Sequence, residues 1–173
     1  GFDMQVIAYD KNINQDLSKK FEFSYVDSLE SLLKNSDIIT LHLPCNKYTY
    51  HIININTIKL MKPGTILINT ARGSLIETQA LIYALENNII SGLGLDVLEE
   101  EAMLQEEEKI FEKEFKNKQL KTLITNHYLI NHNKVIVTPH NAFNTKEAIY
   151  RILETTEKNI RSFLNNNPIN IVV

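Results

Sequence analysis

Short apolar runs alternate along this chain with polar stretches in which leucine and isoleucine fall at helical spacing. Met4 to Tyr9, MQVIAY, predicts a strand that ends at Asp10, and Lys11 to Lys20 is polar and loop-like or weakly helical. Phe23 to Val26 predicts a short strand, and Ser28 caps a helix that turns Leu29, Leu32 and Leu33 inward. Asp37 to Leu43, DIITLHL, is apolar enough to be a buried strand, closed by Pro44, which cannot donate to a ladder. Ile58, Leu60 and Met61 anchor a short helix before the turn at Pro63 and Gly64.

The densest pattern runs from Ile66 to Glu101. Ile66, Leu67 and Ile68 form the kind of run a doubly covered parallel strand needs, and it stops at Asn69 and Thr70. Arg72 and Gly73 follow, so a guanidinium stands at the carboxyl end of a strand, the edge where open α/β sheets bind ligands. From Glu77 or Thr78, Ala80, Leu81, Ala84 and Leu85 make a helical stripe that ends near Asn87 and Asn88. Leu93, Leu95 and Val97 then alternate with Gly92, Gly94 and Asp96 in another strand, which runs out into Glu99, Glu100 and Glu101.

Between Ala102 and Lys134 the rhythm breaks into a charged segment, EEEKIFEKEFKNK within it, that suits a solvated surface helix or excursion and carries no predicted catalytic role. Val135 to Val137 predicts the last core strand, leading to Thr138, Pro139 and His140. A long helix follows, capped by Asn144 with Glu147, its apolar face made by Ile149, Ile152, Leu153, Ile160, Phe163 and Leu164. Strand and helix in regular alternation, with no internal repeat, predict an α/β fold whose parallel sheet is covered on both faces.

Composition narrows the partners. At 173 residues, net charge −3 and 43% hydrophobic residues, the chain is one domain's worth with a normal core. Its basic residues are scattered, so no nucleic-acid partner is expected. The sequence has no apolar run of membrane-spanning length and no signal-peptide pattern, so no membrane partner and a cytoplasmic location are expected. Cys45 is the only cysteine, which excludes an internal disulfide. His127, His132 and His140 lack accompanying ligand spacing, so no metal site is predicted; His42, inside a strand, reads as a satisfied core or edge residue and His51 as a solvated loop residue.

The segments NTARGSLIETQALIYAL and GLGLDV, with VTPHNAFNT downstream, resemble the signature of the NAD-dependent D-2-hydroxy acid dehydrogenases, most closely their D-lactate dehydrogenase branch. The resemblance runs from Gly1 to the C-terminus and implies a Rossmann-type doubly wound sheet, NAD as cofactor, a small 2-keto or 2-hydroxy acid as substrate and a homodimeric parent. It places Arg72 on the substrate-binding arginine, His140 on the acid and base histidine, and Glu101 on the carboxylate that hydrogen-bonds that histidine. Asp96 matches an aspartate near the nicotinamide, and Pro44, Asn46, Thr70 and Ala71 match loop positions that touch the cofactor, with Asn46 standing where threonine is often found. Arg72 and His140 count among the cofactor contacts as well. Asp10 ends the second strand of such a fold, where a carboxylate accepts hydrogen bonds from the adenosine ribose and repels a 2'-phosphate, so NAD is expected over NADP.

The chain departs from the family pattern in one large respect: the first strand with its GxGxxG turn and the separate catalytic domain are not in the sequence. Residues 1–143 are thus expected to form a partial NAD-binding domain, and 144–173 a helix and tail that would pack on that catalytic domain. On this reading the chain is an inactive fragment of a dehydrogenase. The alternative is a non-catalytic dinucleotide-binding module of the corepressor kind; the joint presence of Arg72, Glu101 and His140 favours the enzyme.

Overall fold

The computed structural model describes residues 3–101 and 117–171, which divide into two compact units, Gly1–Val137 and Thr138–Val173. The first unit opens with β1 (Ile7–Ala8) and β2 (Ser24–Tyr25), paired in parallel and joined by α1 (Gln15–Phe21). Both strands are shorter than their apolar runs. Of the two forms expected for Lys11 to Lys20, loop or weak helix, the helix α1 is found, and Asn14 accepts a hydrogen bond from Leu17 N, satisfying one of the amides that a helix start leaves open. Ser28 caps α2 (Leu29–Asn35) in the same way, accepting from Ser31 N, and Leu33 is buried as its stripe predicted.

A second, four-stranded sheet holds the core. Its order is β3 (Ile38–Leu41), β4 (Thr65–Asn69), β5 (Ile90–Leu95), β6 (Val135–Val137), all parallel. A 3-10 turn at Ile58–Leu60 precedes β4, and α3 (Thr78–Glu86) crosses from β4 to β5. Side chains alternate across a pleated sheet, and the register Ile39 to Leu67 to Leu93 puts these three on one buried face with Leu33, Ala80, Leu81 and Leu85. On the opposite face Ile38, Ile66 and Ile136 are exposed. The doubly wound order sets one strand between the positions held by β1 and β3, and the helix after that strand covers a sheet face. The described residues supply neither, which leaves β1–β2 and β3–β6 as separate sheets and the free edge of β3 unpaired.

Residues 102–116, which hold most of the charged stretch, lie outside the described residues; Asn117–Ile130 forms a helix, one of the two expected forms, here α4, and it packs on α3. Leu123, Asn126 and Leu129 are buried at helical spacing, and Gln79 Nε2 on α3 donates to Thr125 Oγ1 at 2.6 Å. The surrounding charges hid a stripe that is amphipathic once the helix forms.

The second unit comprises the turn around His140 and α5 (Lys146–Leu164). Its cap is Thr145, which accepts from Ala148 N at 3.1 Å, and not the Asn144 that the sequence suggested; Asn144 donates its own amide to Asn141 O inside the preceding turn. Ile149, Ile152, Leu153, Ile160, Phe163 and Leu164 are exposed along α5.

Candidate functional site

Because β3, β4 and β5 are parallel, the loops that follow Leu41, Asn69 and Leu95 leave from one edge of the sheet. The loop after β4 is built on Asn69, which is fully buried. Its Oδ1 accepts from Ala71 N at 3.0 Å, its Nδ2 donates to Arg72 O at 2.9 Å, and its backbone oxygen accepts from Asp96 N at 2.9 Å. Thr70 and Ala71 are therefore clamped from below, while the Arg72 side chain is exposed with Nη1 donating to Ala71 O at 2.6 Å. A guanidinium keeps four further N–H donors after one such bond.

Gly73 follows for a steric reason. A Cβ there would lie 2.1 Å from Leu98 O and 2.5 Å from Glu99 N, so the loops after β4 and β5 run backbone against backbone at this point. Its φ is not in the left-handed region; close approach alone demands glycine.

In the loop after β5, Asp96, Val97, Leu98 and Glu99 are buried, and Glu100 adopts a left-handed backbone at φ 58° that turns the chain outward. Glu101 Oε2 accepts from Leu98 N at 3.1 Å. Glu99 joins two segments through its carboxylate: Oε1 lies 2.7 Å from His51 Nε2, and Oε2 accepts from Thr78 Oγ1 at 2.7 Å and Thr78 N at 3.2 Å. Asn126 of α4 donates to the Glu99 carbonyl at 2.7 Å.

His51 is thus a partner of a buried carboxylate and not the solvated residue the sequence suggested. Its ring stacks on Tyr50, its backbone N donates to Ser74 O at 2.9 Å, and these contacts join the loop after β3 to the other two. In that loop Pro44 and Asn46 are exposed; Thr49 Oγ1 donates to Pro44 O, and Asn46 Oδ1 accepts from Tyr48 N, so the asparagine closes a turn. His42 stands just past β3, exposed, with Nε2 3.0 Å from Thr40 Oγ1.

Asp10 follows β1 and is exposed, its Oδ1 accepting from Asn12 N at 2.7 Å. His140 belongs to the second unit, at φ 52° with its N–H donated to Thr138 O at 2.9 Å. A histidine costs free energy to hold in that region, and such outliers concentrate where a side chain must be aimed. Of the predicted residues, the first unit therefore carries Arg72 and Glu101 on adjoining loops, with Thr70, Ala71 and Asp96 beside them. Sequence reasoning missed Asn69, Glu99 with His51 and Thr78, and Asn126. For Asn126 the signal was present, since it falls on the Leu123 and Leu129 stripe of a helix; for Glu99 and His51, 48 residues apart, no local pattern exists. Among the described residues no helix is long and apolar enough to cross a membrane, and no three His, Cys, Asp or Glu side chains could hold a metal ion.

Residues 1–142 match the family model described as D-isomer specific 2-hydroxyacid dehydrogenase, NAD binding domain. Similar proteins include a glyoxylate reductase of Thermococcus litoralis, 39% identical over 94% of this chain and 43% of its own length. A D-lactate dehydrogenase of Lactiplantibacillus plantarum is 35% identical over 95% of this chain and 47% of its own. Among solved structures, the D-lactate dehydrogenase of Aquifex aeolicus complexed with NAD and lactic acid superimposes with a TM-score of 0.77 at 41% identity, covering 95% of this chain and 47% of that one. The chain spans about half the length of the relatives it matches. The Rossmann-type parallel sheet and the signature motifs agree with that match, and the chain belongs to the D-isomer specific 2-hydroxyacid dehydrogenase family, of which it carries the NAD-binding domain.

Proposed function

We propose that the whole protein interconverts a 2-keto acid and a D-2-hydroxy acid with NAD, and that pyruvate and D-lactate are its substrate pair. The observation that carries this reading is Arg72, exposed at the carboxyl end of β4 on a loop that Asn69 clamps. A planar guanidinium matches the carboxylate of a keto acid bidentately, and the Asn69 contacts hold its backbone without using the side chain.

In the reductive direction His140 donates a proton to the substrate carbonyl oxygen, and in the oxidative direction it takes the proton back. The family resemblance assigns Glu101 the task of balancing the charge of the His140 imidazolium. NADH, when bound, would supply the hydride that together with the proton from His140 completes the alcohol. Asp10 accepts from the adenosine ribose hydroxyls, and Pro44, Asn46, Thr70, Ala71 and Asp96 belong to the same cofactor site. Asp10, exposed after β1, and the clamped loop after β4 suit the adenosine ribose and the nicotinamide end. The described glycines do not suit the pyrophosphate: Gly64 precedes β4, Gly92 and Gly94 lie within β5, and Leu98 O fills the space beside Gly73. On this reading the cofactor site is completed by residues other than those described and the 173-residue chain alone is inactive; a cytoplasmic homodimer is the form the same proposal gives the whole protein, from the family resemblance.

Steady-state reduction of pyruvate tests this. With the whole protein, kcat/KM is higher with NADH than with NADPH, and Asp10→Ala narrows the ratio on the order of tenfold by removing the charge that opposes a 2'-phosphate. Equal efficiency with both cofactors, or an unchanged ratio in the variant, would remove Asp10 from the site. The 173-residue chain in the same assay oxidises no NADH; turnover by it would refute the claim that other residues complete the site.

A further inference from the structure

We infer that Glu99 is a positioning residue for this reaction: with His51 and Thr78 it locks the loop that carries Glu101 to the loop that carries Arg72. The inference rests on the dehydrogenase reading above, and it assigns a task to a carboxylate that touches none of the reacting atoms in that reading.

Glu99 is buried, and its side chain is held by a loop and a helix start of the same sheet edge. His51 Nε2 reaches Oε1 at 2.7 Å from the loop after β3, and Thr78 Oγ1 and N reach Oε2 at 2.7 and 3.2 Å from the start of α3. A carboxylate has room for all three donors, so one side chain ties together donors from two segments whose backbones also pair at the Ile53 to Ile76 bridge. His51 in turn donates its backbone N–H to Ser74 O, two residues past Arg72. Asn126 holds the Glu99 carbonyl from α4, and Gly73 lets Leu98 approach within a distance no side chain would permit. The loop between Val97 and Glu101 is consequently held on three sides, against the segment that begins at Arg72.

The arrangement matters because transfer between bound groups is sensitive to placement. A shift of about 1 Å in a catalytic group costs on the order of a hundredfold in rate. Glu101 is separated from Glu99 by Glu100, which sits at φ 58°, and Arg72 is separated from Thr78 by the 3-10 turn Gly73–Leu75. Fixing Glu99 to Thr78 and His51 therefore fixes the origins of both catalytic side chains with one carboxylate.

The test uses variants of the partners in the whole protein, since Glu99→Leu could fail to fold for want of a buried acceptor. His51→Leu and Thr78→Val each remove a side-chain donor and keep approximate volume. Each is expected to lower kcat for pyruvate reduction tenfold to a hundredfold, on the order set by loop displacement, with NADH affinity unchanged. His51→Gln, whose amide nitrogen can donate at similar reach, recovers most of the loss. A variant that melts at lower temperature yet keeps wild-type kcat and KM per folded molecule would overturn the inference, because a purely structural bond predicts that result. Amide exchange in the same proteins separates this from failure of the reaction assignment. Loop coupling predicts faster exchange at both Ile76 and Leu98 in His51→Leu, whatever the substrate; acceleration confined to the neighbours of His51 would overturn it even if the wild type reduced no keto acid.

Discussion

His140→Asn in the whole protein lowers kcat for pyruvate reduction by about 10²- to 10⁴-fold, the range lost when a positioned general acid is removed. Asparagine is the informative replacement because His140 stands at φ 52°, a region asparagine tolerates better than other non-glycine residues. The backbone of the turn, with its His140 N to Thr138 O bond, is then kept while the titrating ring is lost. KM for pyruvate changes little, since Arg72 holds the carboxylate in both proteins. Steady-state kinetics at saturating NADH separate the two parameters. A loss of less than tenfold in kcat would move the proton donor elsewhere.

Gly73→Ala is expected to have the second large effect, on stability and activity together. The new Cβ would lie 2.1 Å from Leu98 O, 2.2 Å from Leu98 C and 2.5 Å from Glu99 N, all backbone atoms that cannot rotate aside. Either the Arg72 segment or the Val97–Glu101 loop must retreat, and overpacking of this kind costs about 1–3 kcal/mol. For a chain of this size each kcal/mol lowers the melting temperature by about 2–4 °C. Gly92→Ala is the control: a Cβ there meets Ile66 Cγ1 at 3.5 Å, an ordinary contact, so its melting temperature stays near the wild type. Thermal melts of both variants decide the matter; equal melting temperatures would show that the loop seam yields freely.

The sheet and its crossings were legible because their signals are local. Ile66, Leu67 and Ile68 announce β4, and Ala80, Leu81, Ala84 and Leu85 announce α3, within a few residues of the observed bounds. The placement of Arg72, exposed just past β4, was legible because a cation after a buried strand has to emerge at the ligand edge. Glu99 was not legible. It shares a triplet with Glu100 and Glu101, the three are chemically identical, and only the fold buries the first and exposes the second. His51 failed for the complementary reason, since a histidine in a polar loop shows nothing of a partner 48 residues away. A helix was one of the two forms expected where α4 stands, but its buried stripe, with Leu123 and Leu129 flanking Asn126, was not read. β1 and β2 shrank to two residues each because their apolar runs find no third strand among the described residues.

The most direct measurement of the proposed chemistry is the stereochemical one, NAD reduction by the whole protein with D-lactate and with L-lactate in parallel. NADH is expected to form with D-lactate and not with L-lactate, and Arg72→Ala is expected to abolish the signal by removing the carboxylate's partner. NADH formed from L-lactate, from both isomers alike or from neither would contradict the assignment.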